Sequence, residues 1–197
     1  MTSFLVPIFR WPGQNRGLLI ALWFHVGLAV FALSAMPSDH RQILGLNPWI
    51  KPLKFDLSVL IYLATVAILL HLLDHRRPKI ESLIGWAVGV AMIAEDAVIS
   101  MQSLRGVPSH MNYTTLFNGA AFGLMGVFII VNTVMLTVLF VLYLQGSKLP
   151  AALAWGIRIG LGAFLAGSIE GLVMIVHGGH TVGAHDGARG VSFVNWA

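Results

Sequence analysis

Cysteine is absent from the 197 residues, which removes disulfides, thiolate metal sites, cysteine nucleophiles and iron–sulfur clusters from consideration in any compartment. Charge is scarce as well. Asp, Glu, Lys and Arg make up 10% of the chain against 57% hydrophobic residues, and mean hydropathy is +0.81, far from the ~25% charged composition of soluble domains. Such a chain is solvated chiefly by something other than water. Twelve Lys and Arg exceed eight acidic residues, for a net charge of +4. The basic residues are scattered between apolar stretches and form no basic face, so they read as topology signals and no nucleic-acid partner is expected.

What the chain has instead is apolar runs. A run of ~20 residues matches the ~30 Å hydrocarbon core of a bilayer, and five stretches qualify, near 17–36, 53–74, 82–103, 117–144 and 151–178. The expected fold is an all-α, polytopic transmembrane helix bundle forming a single domain, with the lipid bilayer as its first partner. Arg10 and Arg16 precede the first run and Ala32-Leu33-Ser34-Ala35 follows it, as in a cleaved signal peptide. That run is too long for a signal peptide and four more spans follow, so it reads as an anchor. Pro37, Pro48, Pro52, Pro78, Pro108 and Pro150 fall between spans or at their ends, where a missing N–H does least harm. The fourth stretch exceeds the core thickness and must tilt or protrude.

A cytoplasmic N-terminus puts Arg10, Arg16, Arg76, Arg77, Lys79, Lys148 and Arg158 inside and Arg41, Lys51, Lys54, Arg105 and Arg189 outside. The balance and the compact cluster Arg76-Arg77-Pro78-Lys79 favour that orientation, N-terminus in and C-terminus out. Gly119/Gly123, Gly156/Gly160 and Gly167/Gly171 have the four-residue spacing that lets helix backbones approach, which marks the fourth and fifth spans as contact helices for one another, for further transmembrane helices or for a second copy. Trp11, Trp49, Trp86, Trp155 and Trp196 lie near the expected interfaces, as in an aromatic belt.

Three polar phrases then share the outer side: 47–54 (NPWIKPLK), 102–112 (QSLRGVPSHMN) and 178–187 (GGHTVGAHDG). Ionisable groups within spans are costly unless they face the bundle or water, and each is a site candidate by default. Asp56, Glu95, Asp96 and Glu170 lie at similar depth below that side. Adjacent Glu95 and Asp96 point about 100° apart, so they cannot both face lipid cheaply. Lys54 and Arg105 are the expected counter-charges, and Gln102, His110 and Asn112 complete the candidate binding residues. Glu170 and His177 are two turns apart on one stripe with His180 three residues on, so His177 and His180, with His185 beyond, are candidate metal ligands.

His25 sits mid-span without a carboxylate near it in sequence; a neutral imidazole hydrogen-bonded across helices accounts for it. Haem held by two histidines from His25, His110 and His177 is the sharper alternative. His71 and His75 read as interfacial. The glycine-rich tail is followed by no Lys-Ser/Thr and is not a P-loop, and no His-Glu-xx-His is present. Ser109 beside His110 pairs a nucleophile with a base, yet there is no Gly-x-Ser-x-Gly.

The phrases Arg105-Gly-Val-Pro-Ser-His-Met-Asn112 and Gly179-His-Thr-Val-Gly183 give the chain its resemblance to an uncharacterised family of bacterial multi-pass membrane proteins, over most of its length. The resemblance implies a bacterial cytoplasmic (inner) membrane location and no particular reaction. Relatives read Asp-Gly-Gly-Pro-Gly where this chain has Asp186-Gly-Ala-Arg-Gly190, and they continue into further spans after Asn195-Trp196. That implies a fragment or a shortened member.

Three functions compete. The first is a binding or transport protein whose outer-side His/carboxylate site takes a proton, a cation or a small solute; an inverted repeat and a proline-broken span, both expected of a coupled transporter, are missing. The second is a metal- or haem-dependent membrane enzyme. The third is a non-catalytic assembly subunit whose polar groups are helix-to-helix pairs.

Overall fold

The structure, a computed structural model, describes residues 15–73, 77–146 and 148–177, with the backbone alone at His177. It is an all-helical bundle: α1 (Arg16–Ala35), α2 (Ile50–His71), α3 (Pro78–Arg105), α4 (Leu116–Leu144) and α5 (Ala151–His177). All five are long and apolar enough to cross a membrane, and their bounds fall within four residues of the expected spans. At 28 and 29 residues, α3 and α4 are about 42–44 Å long at 1.5 Å per residue, so they outrun the hydrocarbon core.

Helix ends are set by local chemistry. Pro78 occupies the first turn of α3, where no N–H is needed, and the Glu81 carboxylate accepts from the Arg77 N–H at 2.8 Å. At the other end Gly106 takes φ +71°. The Gly106 N–H reaches the Ser103 carbonyl and the Val107 N–H the Gln102 carbonyl, a Schellman closure that turns the chain off α3. Thr115 caps α4 by accepting from the Asn118 N–H at 3.2 Å.

α3 is the central helix. It packs against α1, α2 and α4, while α5 packs chiefly on α4; half of the most apolar stretch of α3 is buried, against 6% for α5. The main core, including Leu18, Leu63, Ile84, Val88, Leu136 and Leu139, lies where α1 to α4 meet. Polar bonds tie the helices across it: the Tyr62 hydroxyl donates to Asn132 Oδ1 at 2.6 Å, and Tyr143 donates to the Leu69 carbonyl at 2.7 Å. The Arg158 Nε donates to the Tyr143 carbonyl, which draws that cation toward the helix end.

The glycines at the closest backbone approach are not those the sequence pattern singled out. A Cβ on Gly123, Gly156, Gly160, Gly167 or Gly171 meets nothing within 4 Å, and on Gly119 only Tyr113. The tight crossing is α1 on α3. A Cβ on Gly17 would fall 2.7 Å from the Trp86 Cα, and one on Gly89 2.5 Å from the Gly17 oxygen. Gly85 leaves room for the Asn15 side chain, which donates to the Glu81 carbonyl at 2.9 Å. Gly85 and Gly89 have the same four-residue spacing, in the third span.

The segment between α1 and α2 folds back over one end of the bundle. Leu44 and Gly45 take φ +52° and +82°, and Ile43 and Leu46 exchange both backbone hydrogen bonds, a two-residue reversal that needs positive φ at both central positions. Arg41 clamps Asp39 through two bonds of 2.8 and 2.6 Å and donates to the Leu104 carbonyl at the end of α3. The Trp49 indole N–H donates to Asp39, and its ring meets Phe31 edge-on at 5.1 Å. Trp49 is thus buried in the fold and not part of a lipid-facing belt. The Arg41 bond, with burial opposing it, holds the Asp39 carboxyl well below the usual carboxylate range.

Two predictions follow from this packing. Gly89→Ala should lower the stability of detergent-solubilised protein by ~1–3 kcal/mol, the range for overpacking, while Gly160→Ala stays within ~0.5 kcal/mol; thermal unfolding of both variants decides. Because the Asp39 carboxyl is depressed in the folded state, its stabilising effect is present above the ordinary aspartate range near pH ~4 and fades as pH falls below it. Asp39→Asn should therefore lower the thermal midpoint at pH 7, with a gap from the parent that narrows on acidification.

Candidate functional site

Three helices bring one titratable side chain each to a common point. His25 of α1, Asp56 of α2 and Asp96 of α3 are fully buried, and one ligand atom from each lies within 4.8 Å of the other two. Helical rise explains the meeting. His25 lies ten residues from the end of α1, Asp96 nine from the end of α3 and Asp56 six from the start of α2, so all three sit about 9–15 Å below the same end of the bundle. The glycine crossing holds α1 against α3 and lets the imidazole reach the carboxylate.

The imidazole is oriented from behind. His25 Nδ1 lies 2.7 Å from the Ala21 carbonyl, which can only accept, so Nδ1 carries a proton and Nε2 of a neutral ring presents a lone pair. Nε2 is 3.5 Å from Asp96 Oδ2. His25 Nε2 and all four carboxylate oxygens of Asp56 and Asp96 have no hydrogen-bond partner. Ionised carboxylates and an unprotonated nitrogen are acceptors only. With both carboxylates ionised, five acceptors face one another without a donor, and either a cation among them or a proton shared between Asp56 and Asp96 completes the arrangement.

Glu95, one residue along α3, points elsewhere. Its Oε1 lies 3.9 Å from His110 Nε2 and its Oε2 is buried without a partner. Lys51 is close enough to attract it. His110 packs between Phe55 and Phe122, each ring 5.9 Å away, and its Nδ1 is 3.0 Å from Ser109 Oγ. The adjacent serine and histidine do meet.

The remaining candidates do not converge on the cluster. Arg105 donates to Gln102 and to Asn118 Oδ1 at 2.7 Å, and its guanidinium lies over Phe117 at 4.6 Å. Gln102 also donates to Asn118, which donates to Thr114; Thr114 in turn donates to Asn112. Arg105, Gln102 and Asn112 therefore form a satisfied network that anchors 106–115 to the helix ends. Lys54 lines a cavity beside the loops. Glu170 is exposed on α5, away from the three-helix cluster. His180 and His185 lie outside the described residues, as does the side chain of His177.

His25 is the site residue that sequence reasoning passed over, for want of a neighbouring carboxylate. Counting depth from helix ends finds it level with Asp96. For haem the geometry at His25 does not fit: the ring is enclosed and its outward nitrogen faces carboxylates, leaving no axial position for a porphyrin. A bare metal ion fits the donors, since one imidazole and two carboxylates suit first-row divalent cations. Protein-family models, curated proteins and solved structures contain no match to this chain.

The Arg105 network yields a stability test. Asn118 is buried and accepts from a cation, so Asn118→Ala should cost ~2–3 kcal/mol by leaving Arg105 and Gln102 short of an acceptor. Asn118→Asp, which keeps the acceptor, should cost less in the same thermal unfolding assay.

Proposed function

We propose that the chain is a membrane-embedded cation-binding protein, with His25, Asp56 and Asp96 as ligands of one divalent first-row metal ion. The observation that carries the reading is the set of five buried, unpartnered acceptor atoms contributed by three different helices. Two carboxylates and a neutral imidazole carry a formal charge of about −2, which a divalent ion cancels in a place where uncompensated charge is costly. The Ala21 carbonyl supports the ring in the tautomer that ligation requires. Small side-chain rotations would bring the atoms to the ~2.0–2.2 Å of zinc–nitrogen and zinc–oxygen bonds.

A proton is the second positive particle that suits the same acceptors, and it makes the cluster a proton-holding site in place of a metal site. The resemblance and the distribution of basic residues support a bacterial cytoplasmic membrane with the N-terminus inside. In that orientation the cluster lies between the midplane of the bilayer and the periplasmic ends of the helices.

Cobalt(II) tests the reading, because its visible absorption reports its ligands. Full-length protein in detergent should bind one Co²⁺ per chain and gain about 2.7 kcal/mol of stability at a hundredfold excess over Kd. His25→Gln and Asp96→Asn should each weaken binding by at least ~100-fold, since loss of an outer-shell partner alone costs ~10–100-fold. A protein that takes up no Co²⁺, Zn²⁺ or Mn²⁺, and whose Asp96→Asn variant unfolds at the same or a higher temperature, would sink the metal reading in favour of the proton.

A further inference from the structure

Above the cluster, a cavity of about 260 Å³ opens between the ends of α2 and α3 and the two loops at that end of the bundle. We propose that it binds a small amphipathic organic anion, a short-chain carboxylate, with the carboxylate on Lys51 and the chain against the apolar wall. This goes beyond the cation site and uses other residues.

The wall is mostly apolar. Leu44, Leu46, Pro48, Phe55 and Val107 contribute to it, and the polar lining includes Lys51, Lys54, Ser58, Ser103 and Ser109. Lys51 is the anchor. It is half-buried, and among the described residues its ammonium makes no hydrogen bond or close ion pair, only a longer-range attraction to Glu95. An ammonium carries three donors, and leaving them unmet in a largely apolar wall is expensive. A ligand carboxylate supplies acceptors and charge together, and the Ser103 and Ser109 hydroxyls lie along the same cavity. The size selects the ligand: 260 Å³ is just under the ~300 Å³ at which drug-sized pockets begin, enough for a short chain and too little for a two-chain lipid.

Backbone strain points to the same place. Leu44 at φ +52° and Met111 at φ +53° are the non-glycine residues with positive φ among those described, and such conformations cost about 1–3 kcal/mol each and gather at ligand clamps. Leu44 lines the cavity and Met111 follows His110, beside Ser109. A glycine at 44 would form the turn without strain but would add no side chain to the cavity wall.

One residue of the cavity lining, Ser103, shares a stripe of α3 with the cluster below. Asp96 and Ser103 are seven residues apart, two turns and about 10 Å along one stripe of α3, with Ser100 between them; all three are buried. A polar stripe inside a membrane protein is a path along which a proton or ion finds oxygen contacts.

Calorimetric titration of the full chain in nanodiscs of zwitterionic lipid tests the proposal with hexanoate as ligand and hexanamide as its uncharged counterpart. Hexanoate should bind and hexanamide should not; Lys51→Met should weaken hexanoate at least tenfold, and Lys51→Arg should restore most of the affinity. Retained Co²⁺ binding, or a cooperative thermal transition at or above the parent midpoint, shows that Lys51→Met is folded. No hexanoate binding by the parent, equal binding of hexanamide, or undiminished binding by folded Lys51→Met each overturns the anion site. None of these results bears on the cation site, which fails only through its own ligands.

Discussion

Acceptor atoms enclosed where water cannot reach them must be matched from within the fold, and the lone pairs of His25, Asp56 and Asp96 impose that condition on the whole bundle. A carboxylate at a helix surface can be solvated by turning toward a headgroup. These two are buried, on different helices, with an imidazole closing the third side. The bundle that holds them has to keep α1 close to α3, and the glycine crossing about 10–12 Å further along the two helices sets that approach. Larger residues at Gly17 or Gly89 would push α1 outward and take His25 with it. The stability of the crossing and the composition of the site are therefore one property seen from two ends.

That dependence explains the distribution of burial along the chain. α3 supplies Asp96, Glu95 and the glycines, touches three neighbours and is the most buried span; α5 supplies nothing to the cluster and is the least buried. In lipid there is little gain from sequestering one leucine against another, so the contacts that order this bundle are those where backbone meets backbone or where a polar group meets its partner. Tyr62 with Asn132, Tyr143 with Leu69 and Asn15 with Glu81 are of the second kind. α5 is tied to α4 by the Arg158 bond to the Tyr143 carbonyl, and its Gly156/Gly160 and Gly167/Gly171 faces meet nothing within 4 Å among the described residues.

The five spans were legible because the bilayer demands a long unbroken run of apolar residues, a signal stronger than any propensity, and because the prolines fall at their ends. The site was legible in part. Asp56, Glu95 and Asp96 stand out as charges in apolar sequence, whereas His25 does not, since a lone histidine has an adequate local explanation and its partners arrive from helices 31 and 71 residues further on. Glycine spacing misled for a related reason: the same pattern occurs in the third, fourth and fifth spans, and nothing in a pattern says which face a neighbour will take. The separation of Arg105 from Glu95 was equally hidden. Both sit near one end of α3, but Asn118, on the next helix, takes the guanidinium first.

Charge is layered along the axis of the bundle in a way that no single residue would reveal. Uppermost is Arg41 with Asp39, closed on itself and on the end of α3. Next comes Lys51 at the cavity wall, a cation facing apolar surface and hydroxyls. Below it, at similar depth, lie Glu95 with His110 and the two aspartates with His25. A cation thus stands above a group of carboxylates, and the field of Lys51 repels a metal ion or proton in the cavity and attracts an anion there. An anion seated on Lys51 cancels that repulsion and lowers the barrier to the carboxylates beneath. The two ligands would then favour each other's binding through electrostatics alone, because each removes the charge that opposes the other. Helix packing has only to keep the layers about 10 Å apart, the rise of two turns of α3, close enough for that coupling in a medium where screening by salt is weak.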